Sequence, residues 1–188
     1  AMICASCGIG WQRSEMEYTF SYTSPLGEIV LASDSTALTG LWFRGQKYFA
    51  STLSAEHQPK SLPIFQQTSA WLDCYFSGQN PPVLPPLSMK TTPFRKRVWE
   101  ILLTIPYGNT MTYGEIAAQL SGDPHRAGRL AQAVGGAVGH NAISILIPCH
   151  RVVGTDGSLT GYAGGLSRKI KLLTLEHVDM SKLFLPKA

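Results

Sequence analysis

Tyr18, Phe20 and Tyr22 alternate with polar residues, a period of two that predicts a strand with one face buried. Ser24-Pro25-Leu26-Gly27 is turn chemistry, and two apolar runs follow it, Ile29-Val30-Leu31-Ala32 and Leu38 to Phe43. These segments predict a small antiparallel meander. The period then changes. Ile64, Phe65, Thr68, Trp71, Leu72, Tyr75 and Phe76 share one broad helical face, with Gly78 as its stop. Asn80-Pro81-Pro82-Val83-Leu84-Pro85-Pro86 reads as an extended linker, which is where a domain boundary is expected. Residues 1–15 then form a flexible extension, 16–86 a strand-rich N-terminal domain with its linker, and 87–180 a C-terminal domain.

The second part predicts helices. Thr92-Pro93 pairs a capping residue with proline at the first helical position, and Phe94, Val98, Ile101, Leu102 and Ile105 repeat on one face up to Pro106-Tyr107-Gly108. Thr112-Tyr113-Gly114-Glu115 fits a capping box opening a short helix through Ile116, Ala117 and Leu120, which Gly122 and Pro124 end. Another helix is expected from Arg126 to Val138. Two helices joined by so short a turn fit a helix-turn-helix, although helical hairpins that never touch DNA look the same. Gly135 and Gly136 each cost that helix about 1 kcal/mol against alanine, so something must approach closely: another helix, or a nucleic-acid strand. The last helix follows Gly161-Tyr162-Ala163-Gly164-Gly165. Leu166, Ile170 and Leu173 mark its buried face, and Glu176 falls on that face too. The fold class is therefore α+β: a small antiparallel sheet domain, then a helical domain with a helix-turn-helix.

Composition narrows the function classes. Of 188 residues, 44% are hydrophobic and 15% charged, which supports a packed core and argues against long disordered tails. A net charge of +4 fits a nucleic-acid partner without requiring one. No apolar run approaches the roughly 20 residues of a membrane span, and Ala1 to Cys7 does not look like a secretory signal, so a reducing, cytoplasmic setting is expected. Cys4 and Cys7 form a Cys-x-x-Cys pair with no second pair at suitable spacing, so an unstructured extension is favoured over a metal site.

The chemistry concentrates in Pro148-Cys149-His150-Arg151. A proline ends the run of β-formers Ile143-Ser144-Ile145-Leu146-Ile147 and turns the thiol toward a pocket. Only the thiolate is a strong nucleophile, and the adjacent imidazole is a candidate base. An inward-facing Glu176 would orient that imidazole, giving a relay Cys149-His150-Glu176. The plain alternatives are a structural cysteine and a surface glutamate.

At these residues the chain resembles the O6-alkylguanine-DNA alkyltransferases. The likeness runs from Thr92 to about His177. It includes Ile105-Pro106-Tyr107-Gly108, the capping-box segment through Ala117, Ala133 to Ala137, Ile145 to Gly154, and Gly161 to Gly165. It implies direct-reversal repair of double-stranded DNA carrying alkylated bases, by a monomer without metal or organic cofactor. Cys149 would accept the alkyl group from O6 of guanine, and by extension O4 of thymine. His150 would be its base and Glu176 the orienting carboxylate. Asn141 would brace the turn, and Tyr113 would support charge neutralisation at guanine N3. Tyr162 and the Ala163 N–H would close over the base, while the carbonyls of Cys149 and Val152 would read its exocyclic amine. Gln132 stands where many relatives carry an arginine that fills the gap left by the flipped base; Arg126 and Arg129 are candidate phosphate contacts, and Gly136 belongs to the DNA-facing helix. Two rivals remain: a non-catalytic alkyltransferase-like binder, against which Cys149 argues, and a cysteine hydrolase.

Overall fold

The computed structural model describes residues 15–187. Cys4, Cys7 and most of the expected extension lie outside them. Strands β1 (Glu17–Ser24), β2 (Gly27–Ser33) and β3 (Leu38–Phe43) form the expected meander, with Phe20 opposite Leu31 and Leu31 opposite Leu41. A fourth strand, β4 (His57–Pro59), adds to the free edge of β1 in parallel, so the sheet is mixed, ordered β3-β2-β1-β4. The antiparallel meander is as expected, and β4 adds one parallel pairing that was not. His57-Gln58-Pro59 is exposed and carries no alternation for pattern reading to detect.

Helix α1 (Pro63–Phe76) packs on the sheet, where Phe65 stacks on Phe20 at 5.7 Å between ring centroids. Helix α2 (Pro93–Leu102) starts as expected, the Thr92 side chain accepting from the Arg95 N–H, but ends three residues before Ile105 in a tight turn. Strand β5 (Met111–Thr112) leads into α3 (Tyr113–Ser121), whose capping box forms in full between Thr112 and Glu115. Gly122 closes α3 in the left-handed region at φ 63°. Pro124 does not end α3; it opens α4 (Pro124–Gly139), with Asp123 as cap. Two short elements, the 3-10 turn Cys149–Arg151 and β6 (Val152–Val153), precede α5 (Leu166–Leu175). β6 pairs in parallel with β5.

One core spans both parts of the chain: Leu41, Trp42 and Phe43 of β3 join Val98, Trp99 and Leu102 of α2, and Val134 of α4. The indole N–H of Trp99 donates to the Ala137 carbonyl at 2.9 Å, tying α2 to α4. Among the described residues, no helix is long and apolar enough to cross a membrane.

The run Ile143–Ile147 is not a regular strand. It is a buried series of turns docked on the open edge of β3: the Leu41 N–H donates to the Ala142 carbonyl, and the Ser144 N–H to the Leu41 carbonyl. Ile145 takes φ 70°, a conformation costly for a β-branched residue. Tertiary contacts thus override β propensity. They also protect an edge strand that would otherwise expose unpaired backbone groups.

Candidate active site

Those turns aim the Pro148-Cys149-His150-Arg151 segment inward. Asn141 holds them together: its side-chain amide donates to the Ile147 carbonyl at 2.7 Å, and its side-chain oxygen accepts from the Ile143 N–H at 3.1 Å. Cys149 is 4% exposed and His150 is fully buried. Burial pushes the Cys149 thiol up from its usual pKa, a rise that Asn141 and the cation of Lys169 partly offset. At neutral pH the sulfur is therefore a thiol.

The neighbouring imidazole is held by a carboxylate. His150 Nε2 lies 2.7 Å from Glu176 Oε1. The same Oε1 accepts from the Tyr75 hydroxyl at 2.7 Å and from an Arg151 guanidinium nitrogen at 2.9 Å, while Oε2 accepts from Arg151 Nε at 2.8 Å. Burial alone would raise the Glu176 pKa. The hydrogen bonds of His150 and Arg151 and the Arg151 charge overcome that and hold it at about 2. An ionised carboxylate can only accept, so His150 must carry its proton on Nε2. Burial lowers the His150 pKa despite the carboxylate, leaving the ring neutral. Its Nδ1, buried and without a protein partner among the described residues, then presents a lone pair. The sequence pattern groups Glu176 with Leu166 and Ile170. Those two are only half-buried, and the buried face runs instead through Lys169, Leu172 and Leu173 to Glu176.

Lys169 is the unexpected member of that face. It is fully buried, and its ammonium donates to the carbonyls of Val152, Thr160 and Gly161. Burial lowers its pKa to about 8, against a raising effect from Cys149. It remains a cation at neutral pH. One lone pair of the Val152 carbonyl is therefore engaged by Lys169.

Beside this network opens a cleft of about 400 Å³, whose walls include Tyr113, Gly135, Gly136, His140, Tyr162 and Ala163. Burial raises the pKa of Tyr113 to about 12 and that of Tyr162 well above its ordinary value, and Cys149 adds to both shifts. On α4, Arg126, Arg129, Gln132 and Gly136 are all exposed along one flank. Beyond its chain neighbours and the backbone of its own helix, a Cβ built on Gly135 or Gly136 meets no described atom within 4 Å. Close packing by another helix does not explain the two glycines, and the open face beside the cleft favours the nucleic-acid option.

Three participants escape sequence reading. Tyr75, from α1, reaches Glu176 across a separation no local pattern reveals. Arg151 is visible in the sequence only as part of a motif. Lys169 is masked by its charge, although its spacing of three from Leu172 is a signal that could have found it.

This constellation has counterparts. Residues 93–178 match the DNA binding domain of 6-O-methylguanine DNA methyltransferase, and residues 17–88 match the ribonuclease-like domain of the same family. A methylated-DNA–protein-cysteine methyltransferase of Mycobacterium bovis is 44% identical over 81% of this chain and 88% of its own length. One from Haemophilus influenzae is 38% identical over 86% of each chain. The crystal structure of Mycobacterium tuberculosis OGT in complex with DNA superposes with a TM-score of 0.73 at 41% identity, covering 89% of this chain and 94% of that one. With both halves matched and the buried Cys-His-Glu chain in place, this protein belongs to the 6-O-methylguanine DNA methyltransferase family.

Proposed function

We propose that the protein repairs DNA by direct reversal, as a methylated-DNA–protein-cysteine methyltransferase that moves an alkyl group from O6 of guanine, and from O4 of thymine, onto Cys149. The observation that carries this reading is the 2.7 Å contact of His150 Nε2 with Glu176, which leaves a buried, unpartnered Nδ1 as the acceptor that a buried, unionised Cys149 needs. His150 takes the thiol proton directly or through water. The sulfur attacks the alkyl carbon, the S–C bond forms as the C–O6 bond breaks, and the electron pair passes to the purine. The proton lost by the thiol is returned to the guanine, so the products are S-alkylcysteine and unmodified base. A thioether offers water no good leaving group. The protein is consumed, one alkyl group per molecule.

O6 is inaccessible inside a duplex, so the nucleotide is extruded at a cost of roughly a few kcal/mol. The exposed flank of α4 suits extrusion, because Gln132 occupies the vacated space, Gly136 lets a strand approach, and Arg126 and Arg129 pair with phosphates. Within the cleft Tyr113 neutralises charge at N3, Tyr162 and the Ala163 N–H cover the base, and the carbonyls of Cys149 and Val152 accept from its amine. Asn141 braces the turn and Glu176 orients the base. On this reading residues 16–86 are a supporting unit, residues 87–180 hold the reacting groups, and the protein works in the cytoplasm.

A duplex with O6-methylguanine inside a restriction site tests this. Cleavability should return in proportion to the protein added and then stop, and Cys149→Ala should restore none while retaining most DNA binding. Continued turnover beyond one site per protein would favour the hydrolase chemistry instead.

A further inference from the structure

The cleft has one wall that the helical half does not supply. Lys47 and Tyr48, in the turns after β3, line it together with Gly136 and Ala163. These turns are built rather than loose. Buried Gln46 accepts from the Phe43 N–H at 2.8 Å and donates to the Lys47 carbonyl at 3.2 Å. Tyr48 and Ala50 hold φ of 59° and 52°, a region that costs a non-glycine residue about 1 kcal/mol or more. Strain of this kind persists only where surrounding contacts enforce it, and here they converge on the cleft. The Lys47 N–H donates to the Ala163 carbonyl at 3.0 Å, fastening the turn to the loop that carries Tyr162. The Tyr48 ring stacks on His140 at 3.9 Å, and the Lys47 ammonium lies 5.1 Å from the centre of the Tyr48 ring. Lys47 is exposed, and among the described residues no carboxylate lines the cleft.

A cation held at the mouth of a carboxylate-free cleft matches an anion on whatever enters it. We propose that Lys47 pairs with a backbone phosphate of the extruded nucleotide or its neighbour, so that the N-terminal part of the chain contacts DNA directly. This rests on the repair reading, because it takes the ligand of the cleft to be a flipped nucleotide. The Tyr48 ring offers the ammonium a cation–π contact at the cleft.

Duplex binding by the full chain, titrated against salt, tests the proposal. One phosphate contact contributes about 0.9 to the slope of log K against log[salt]. Lys47→Gln should lower the slope by about 0.9 and weaken binding about eightfold near 0.1 M salt, the loss vanishing toward 1 M. Lys47→Arg should keep the slope. Reaction of Lys47→Gln with free O6-benzylguanine, which has no phosphate, should proceed at the wild-type rate. An unchanged slope overturns the contact. Equal slowing on duplex and free base also overturns it, by showing that Lys47 merely supports the loop. Failure of the wild-type protein to accept an alkyl group would overturn the repair reading instead, and the slope would still report on Lys47.

Discussion

Glu176→Gln separates what the buried carboxylate does for stability from what it does for chemistry. The fold depresses its pKa from 4.5 to about 2. At about 1.4 kcal/mol per unit, its ionisation contributes roughly 3 kcal/mol above pH 4.5, lost as pH falls toward 2. The glutamine variant also strands Arg151, whose side chain is only 11% exposed, without a counter-charge. Breaking a buried pair this way costs about 3–5 kcal/mol, or on the order of 10 °C in Tm for a chain of this size. Arg151→Met in the same background removes the stranded charge and should recover about half of that loss. Alkyl transfer should not recover. Without the carboxylate His150 loses its fixed tautomer, and the rate should fall at least about tenfold, a share of the ~10²–10⁴ a positioned base contributes. Single-turnover transfer from duplex O6-methylguanine and thermal melts on the same preparations give both readings. If the double variant regains stability and rate together, Glu176 serves only the fold and the relay is wrong.

Tyr75→Phe removes one donor from Oε1, which should cost about 1.5–3 kcal/mol of stability. The less-solvated carboxylate should also favour the protonated imidazole, moving the acid limb of the transfer rate to higher pH; an unmoved limb would make Tyr75 merely structural. Gln132→Gly should impair repair of duplex DNA far more than reaction with free O6-benzylguanine, since only the duplex must be unstacked. Equal losses on both would mean a damaged helix. Lys169 is protonated in the unfolded chain up to about pH 10.5 but in the fold only up to about 8, so the unfolded state binds more protons between these values. Stability in urea should gain from this group as pH rises from 8 to 10.5, and Lys169→Met should lack that gain.

Local signals are legible in the chain wherever one segment decides its own fate. Thr92-Pro93 and the Thr112–Glu115 box start helices as read, because capping needs only neighbours within one turn. The adjacency of Cys149 and His150, and the inward turn of Glu176, are visible for the same reason. What depends on distant partners is not. The Ile143–Ile147 run has strand composition, yet only docking on β3 decides its path. β4 exists because β1 offers a free edge, and Lys169 is buried because three carbonyls meet it. Lys47 comes to the cleft through a bond to Ala163 that no periodicity encodes.

The central claim is that Cys149 is the stoichiometric alkyl acceptor. Intact-protein mass measurement after mixing with excess O6-methylguanine duplex, followed by peptide mapping, tests it most directly. The account predicts a single stable gain of about 14 Da confined to the peptide containing Cys149, as expected of a thiol nucleophile. Methyl on Cys74 instead, or a thiol that returns unmodified while DNA is repaired, would contradict it.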